Sequence, residues 1–250
     1  MPVEGVHIDG SGRKVFIPLE NNPDVFASLV RDLGASDELG FYDVLSLDEA
    51  ELLALVPRPV HALIFITPPD IYHIVRERER TPRAGETLAY DKSGPDEPVV
   101  WFRQTIGHAC GLYALIHALA NGGARPFLKK GSLLDRLIEE ATPLAPVPRA
   151  RVLYDSAELE AKHMRAARTG DSRTPGAHEP VGLHFITFTK GRDGHLYELD
   201  GDTDGPLDLG PLADEGDMLS EAALRKGVRR FLDAAGGELQ FSIVALARSQ

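Results

Sequence analysis

The chain has 250 residues, which suits one large domain or two small ones and suffices for a sizeable core. Hydrophobic residues at 43% and charged residues at 26% are ordinary for a globular protein, and a formal net charge of -11 sets the surface against nucleic acid and anionic membranes. One cysteine, Cys110, excludes an intramolecular disulfide; the N-terminal "MPVEGVHIDGSGRKVF" has no secretory pattern, and apolar runs such as "VHALIFI" are too short to span a bilayer, so a soluble intracellular protein is expected.

In chain order, "RKVF" reads as a short strand. Asn22 then caps a helix that Pro23 opens and Gly34 ends, with Val25, Leu29 and Leu33 on one face. "FYDVLS" at 41–46 predicts a strand, and Ser46 with Glu49 a capping box for the helix "LDEAELLALV". "VHALIFI" is a continuous apolar run, expected as a central strand covered on both faces. Residues 68–98 are mixed: a charged stretch, then a connection rich in Gly, Pro and Asp. "VVWFRQ" predicts another strand. After Cys110, Leu112, Leu115, Ile116 and Leu119 keep helical spacing. Ser132 heads a helix over 132–141, and prolines 143, 146 and 148 break the chain before a polar helix at 149–167. Residues 168–180 have loop composition. Strands at 181–189 and 195–200, an irregular stretch, a helix around 218–234 and a last strand "ELQFSIVALA" complete a single α+β domain.

Cys110 lies in "QTIGHACGLYALIHAL", where a polar segment runs into a helix. Unpaired N–H groups at a helix start carry partial positive charge and favour a thiolate. The cysteine is either a small buried hydrophobe or a nucleophile aimed by its turn. A nucleophilic thiolate is usually partnered by histidine. His184, in "GLHFITF", sits among apolar neighbours, where an unpaired imidazole costs stability. It is either a structural histidine or that partner. The segment "VGLHFITFTKGRDGHLYELDG" predicts a β-hairpin. Folded about Arg192, it sets Thr189 opposite His195 and His184 opposite Asp200, with Cβ atoms roughly 4.5–5.5 Å apart. A carboxylate there would orient the ring, as the third member of a nucleophile triad does. Asp200 also precedes Gly201 and is open to a plain turn role. Gln104, six residues before Cys110, is either a solvated loop residue or an amide donor to an oxyanion.

Taken together, these segments resemble the ubiquitin carboxyl-terminal hydrolase family, papain-like cysteine proteases that act on ubiquitin C-termini. The likeness runs through "FIPLENNP", "FYDVLSLDE", "QTIGHACGLYALIHA", "HFITF", "DGHLYELDG" and "ELQFSIVALA", and covers residues 1–250 as one catalytic domain. It implies Cys110 as nucleophile, His184 as general base and acid, Asp200 as orienting carboxylate and Gln104 as oxyanion donor. It also implies an antiparallel sheet between helical lobes, a knotted backbone, and a crossover loop over the active site at about 154–179. Two positions depart from many members. His108 stands where Asn is usual, and is read as a hydrogen-bonding group; Asp202 stands where a basic residue often follows "LDG".

The resemblance implies a deubiquitinating hydrolase, with no metal or organic cofactor, that releases small or unfolded adducts from the C-terminal glycine of ubiquitin. The expected partner is ubiquitin, whose basic tail Arg-Leu-Arg-Gly-Gly suits an acidic surface. Glu20, Asp24, Asp43 and Glu238 match family contact positions, and each is equally open to a solvated surface role. A monomer in the cytoplasm, or also the nucleus, is expected, binding neither nucleic acid nor membrane. The rival readings are a hydrolase for a ubiquitin-like modifier such as NEDD8, and a non-catalytic ubiquitin-binding protein.

Overall fold

Two short strands, β1 (His7–Ile8) and β2 (Lys14–Val15), form a hairpin of their own. The computed structural model describes residues 5–81, 89–170, 182–213, 216–238 and 240–249. Helix α1 (Pro23–Leu33) follows the sequence signals closely. Asn22 accepts the Asp24 N–H at 2.9 Å, Pro23 opens the first turn, and Gly34 closes the last at φ 115. A side chain at Gly34 would strike Ser132, so the left-handed turn and the close approach both require glycine. Val25, Phe26, Leu29, Val30 and Leu33 are all buried, each worth roughly 1.5–3 kcal/mol.

The chain continues through β3 (Leu39–Asp43), the single-turn α2 (Ala50–Leu53), β4 (Val60–Thr67) and α3 (Pro69–Glu79). Next come α4 (Cys110–Ala120), a 3-10 turn at Gly122–Phe127, α5 (Leu133–Ala141), α6 (Pro146–Tyr154) and α7 (Ala157–Ala166). The last part holds β5 (His184–Lys190), β6 (His195–Leu199), β7 (Leu207–Pro211), α8 (Glu221–Lys226), α9 (Arg229–Leu232) and β8 (Ser242–Arg248). The main sheet is antiparallel, in the order β3-β8-β4-β5-β6-β7.

Strand β4 is central, as its composition predicts. Ala62, Ile64 and Ile66 enter a core with α1, α4, α5 and α7. Leu63 and Phe65 enter a second core with α3, α8 and α9 on the opposite face. Both faces are covered, so the run carries no polar alternation. Among the described residues, no helix is long and apolar enough to cross a membrane.

Several expectations change. The strand expected at 41–46 spans Leu39–Asp43. Ser46 accepts the N–H groups of Asp48 and Glu49, closing a turn ahead of α2 rather than boxing a long helix. Among the described residues, "VVWFRQ" pairs with no strand. Side chains bind part of its backbone instead: the Asn121 amide binds the Val100 N–H and C=O at 2.7 and 2.9 Å, and His117 Nε2 accepts the Phe102 N–H at 3.0 Å. The helix expected at 149–167 is two helices, parted where Ser156 recaps the chain by accepting the Leu159 N–H. Ser132 does precede α5, but its side chain makes no capping bond. The helix around 218–234 is the short pair α8 and α9. Helix α3 and strand β7 are additions to the expected elements. The segment at about 154–179 is not all loop: α7 occupies 157–166 and buries Leu159, His163 and Met164. Positions 171–179 lie outside the described residues.

Candidate active site

Cys110 opens α4, whose residues are all buried, so the cysteine stands on a helix packed on every side. The preceding loop is tied to the N-terminal hairpin. The Phe16 N–H donates to Gly107 C=O at 3.0 Å, and the Gly107 N–H to Lys14 C=O at 2.8 Å. His108 takes a left-handed backbone, φ 56, immediately before the turn into the helix. Asn, Asp and His enter this region more readily than most residues, and His108 does so here. Burial and the nearby Arg13 push its imidazole below the usual range.

Cys110 is 8% exposed. Burial pushes the thiol up to about 11, and N–H groups of Phe185, Gly111 and Cys110 itself offset only part of this. The helix start alone therefore leaves a neutral thiol, contrary to the simple expectation for a helix N-terminus. Ionisation needs a base that takes the proton. The Phe185 N–H beside the sulfur belongs to the residue following His184.

His184 Nε2 lies 3.0 Å from Asp200 Oδ1. The pairing arises differently from expectation. The hairpin register pairs Thr189 with Tyr197 and Thr187 with Leu199, which shifts Asp200 by two residues from the position opposite His184. The cause is the turn. Gly191 N–H bonds to His195 C=O at 2.8 Å, and Gly194 adopts φ 81, making a three-residue loop centred on Asp193. A two-residue shift keeps both side chains on one face, and the imidazole spans the diagonal; a one-residue shift would have parted them.

Asp200 is 1% exposed and fully bonded. Oδ1 also accepts the Asp202 N–H at 2.9 Å. Oδ2 accepts the Tyr72 hydroxyl at 2.8 Å and Arg76 Nη2 at 3.1 Å. Burial opposes its charge, but His184, Arg76 and these donors outweigh burial and hold the carboxyl well below its ordinary range. Burial likewise pulls His184 down, yet the charge and hydrogen bond of Asp200 outweigh it and leave the imidazole above its ordinary range. Nε2 is committed to Asp200, which leaves Nδ1 as the ring nitrogen able to serve as a base. Arg76 is itself buried and also pairs with Glu198, which pairs with Arg230, which reaches Glu79 at 2.7 Å. Alternating charge thus runs from the surface to the imidazole. Tyr72, Arg76 and Glu198 escape the sequence reading. Their one signal is the i, i+4 spacing of Tyr72 and Arg76 in "DIYHIVRER", which places both on one helix face.

Gln104 is fixed against the turn after Asp200: its N–H donates to Gly201 C=O at 2.9 Å. A Cβ on Gly201 would lie 2.6 Å from the Gln104 Cβ, so only glycine fits there. Gln104 Nε2 donates to Ile106 C=O at 3.0 Å, which uses one amide hydrogen and leaves the other. Asp43 ends β3 at the sheet end where β4 and β5 bring Thr67 and His184 together, and Glu238 lies four residues ahead of β8. Asp24 is exposed in the first turn of α1. Glu20 is half-buried, accepts from Asn22 Nδ2 at 3.3 Å, and packs against Gly170 just beyond α7. Among the described residues, no group of three His, Cys, Asp or Glu side chains is arranged to hold a metal ion.

The family model described as ubiquitin carboxyl-terminal hydrolase, family 1, matches residues 16–233. The ubiquitin carboxyl-terminal hydrolase isozyme L1 of Rattus norvegicus is 36% identical, over 93% of this chain and 98% of its own. Ubiquitin carboxyl-terminal hydrolase 3 of Arabidopsis thaliana is 33% identical, over 96% and 97%. Among solved structures, the Trichinella spiralis UCH37 catalytic domain bound to ubiquitin vinyl methyl ester superposes with a TM-score of 0.69 at 24% identity, covering 94% of this chain and 95% of that one. That likeness is one of fold.

Proposed function

The chain belongs to ubiquitin carboxyl-terminal hydrolase family 1, and from that premise we propose how this deubiquitinating cysteine hydrolase uses its residues. The observation that carries the reading is His184 hydrogen-bonded to a buried Asp200 while Cys110 heads α4 beside the Phe185 N–H. His184 Nδ1 takes the Cys110 proton as the thiolate attacks the carbonyl of ubiquitin's last glycine. The Cys110 N–H and the remaining Gln104 amide hydrogen stabilise the tetrahedral oxyanion. His184 then protonates the departing amine or thiol, leaving a thioester on Cys110. Water, deprotonated by His184, attacks the thioester and releases ubiquitin with a free carboxylate.

Glu20, Asp24, Asp43 and Glu238 are read as contacts for ubiquitin's basic tail and the face behind it. The position of Asp43 at the His184 end of the sheet supports this. Selectivity for small or unfolded adducts is read from the segment between α7 and His184. Its start is pinned, since His163 Nε2 bonds Ile17 C=O at 2.7 Å and Glu160 pairs with Lys14 at 2.8 Å. Its end is pinned in β5. The crossover loop that the resemblance implies at about 154–179 would bar a folded adduct. Lys-linked di-ubiquitin is therefore a poor substrate, and a long Gly/Ser insertion between Gly170 and Gly182 raises its cleavage without changing small-adduct turnover.

Labelling with ubiquitin carrying a C-terminal vinyl methyl ester tests the chemistry. A single adduct at Cys110, lost in Cys110→Ser along with all hydrolysis, is expected. Labelling elsewhere, or turnover by Cys110→Ser, would remove Cys110 from its role. The same probe built on NEDD8 measures which modifier is preferred.

A further inference from the structure

Tyr72 takes no part in the proton transfers just described, yet its side chain touches both residues that must stay aligned. Its ring centroid lies 4.3 Å from that of His184, tilted by 49°. Its hydroxyl donates to Asp200 Oδ2 at 2.8 Å. The Arg76 guanidinium, one helical turn on, sits 4.6 Å from the centre of the same ring and donates to the same carboxylate oxygen. Tyr72 is 2% exposed, so water does not compete for these contacts.

A single hydrogen bond does not fix an imidazole. The torsion that turns the ring about its Cβ–Cγ bond is broad, and the Nε2 bond alone leaves the ring plane free to rock. Rocking would swing Nδ1 away from the sulfur. A flat aromatic group packed against one face removes that freedom. The carboxylate needs holding as well, because rotation would exchange the oxygen facing His184. The Tyr72 hydroxyl and Arg76 hold Oδ2, and the Asp202 N–H holds Oδ1.

We propose that Tyr72 is a positioning residue for the hydrolysis: its ring holds the plane of His184 and its hydroxyl holds Asp200, so that Nδ1 faces Cys110. This rests on the reading of Cys110, His184 and Asp200 as the catalytic set.

Two substitutions separate the two contacts. Tyr72→Phe keeps the ring and loses the hydroxyl; Tyr72→Leu loses both. With a fluorogenic amide of ubiquitin's C-terminus, kcat falls roughly 10-fold for Tyr72→Phe and about 100-fold for Tyr72→Leu, with KM unchanged in both. In histidine-labelled protein, the NMR signals of the His184 ring nitrogens are sharp in the parent and in Tyr72→Phe, and broadened or shifted in Tyr72→Leu. His184→Gln is measured alongside. If His184→Gln retains parental turnover, the catalytic set itself is wrong. If His184→Gln is inactive while both Tyr72 variants keep parental kcat, the set stands and the positioning role fails. A fall in kcat for Tyr72→Leu with unchanged His184 signals also overturns the role, because the loss then arises elsewhere. Should Tyr72→Leu not fold, Tyr72→Phe decides alone: parental kcat in that variant removes the hydroxyl's part, and with it the proposal.

Discussion

At the scale of single residues, the site depends on charges taken out of water and paired. Asp200 raises both of its neighbours in the chemistry: its charge favours the protonated forms of Cys110 and of His184. On the proposed mechanism the reactive form holds one proton between Cys110 and His184, and it lies between two titrations that belong to the coupled pair. Replacing the carboxylate by Asp200→Asn makes both losses easier. Both limbs of the kcat/KM profile should then move to lower pH, alongside a fall in rate. Limbs that stay in place while the rate drops would show that the carboxylate acts only through orientation. Gln104→Ala should cut kcat by roughly 10²–10³-fold if its amide meets the oxyanion. An effect confined to KM would make Gln104 a binding residue.

At the scale of elements, what was legible followed local rules. The Asn22–Pro23 start and Gly34 end of α1 are written in a dozen residues, and the structure repeats them. The apolar run of β4 shows its central place in the same way, since its two faces feed two separate cores. What was illegible depends on partners far along the chain. "VVWFRQ" has strand composition, but its backbone partners include the side chains of Asn121 and His117, which no local pattern reveals. Helix α3 hid because its buried face includes Tyr72 and Arg76, polar groups whose partners lie on β6 and beyond. The pairing of His184 with Asp200 was legible only to its face, since Gly194 sets the loop length. Two further histidines carry a stability prediction. His117 and His163 are buried, and burial, the largest influence on each, pushes both down to about 4. Unfolded, each would titrate near its ordinary value of about 6.5. Between those values the unfolded chain binds more protons, so stability falls as pH drops through that window, by on the order of 3 kcal/mol per histidine. Urea midpoints at pH 7 and pH 5 measure it, and His117→Gln should flatten the slope. A midpoint that does not change over this range would contradict the buried neutral state.

At the scale of the whole molecule, a net charge of -11 would favour association with a basic partner, such as the ubiquitin tail proposed above. Steering by exposed charge is screened beyond about 10 Å at 0.1 M ionic strength. kcat/KM for ubiquitin substrates should therefore fall as salt rises, and charge reversal at Asp43 or Glu20 should weaken that dependence. A flat salt profile would assign the acidity to solubility. The order of strands has a consequence of another kind. β8, the last of the described strands, lies between β3 and β4, second from the edge of the sheet. While the protein is being made, β3 and β4 leave the ribosome early and have nothing to join them. At roughly 5–20 residues per second, the nascent chain carries the bare edge of "LIFI" for on the order of ten seconds or more. An unpaired apolar edge is an invitation to other chains. No ribosome-bound fragment ending before Ser242 therefore holds the completed sheet, and until β8 is made the edge of β4 stays open to other chains.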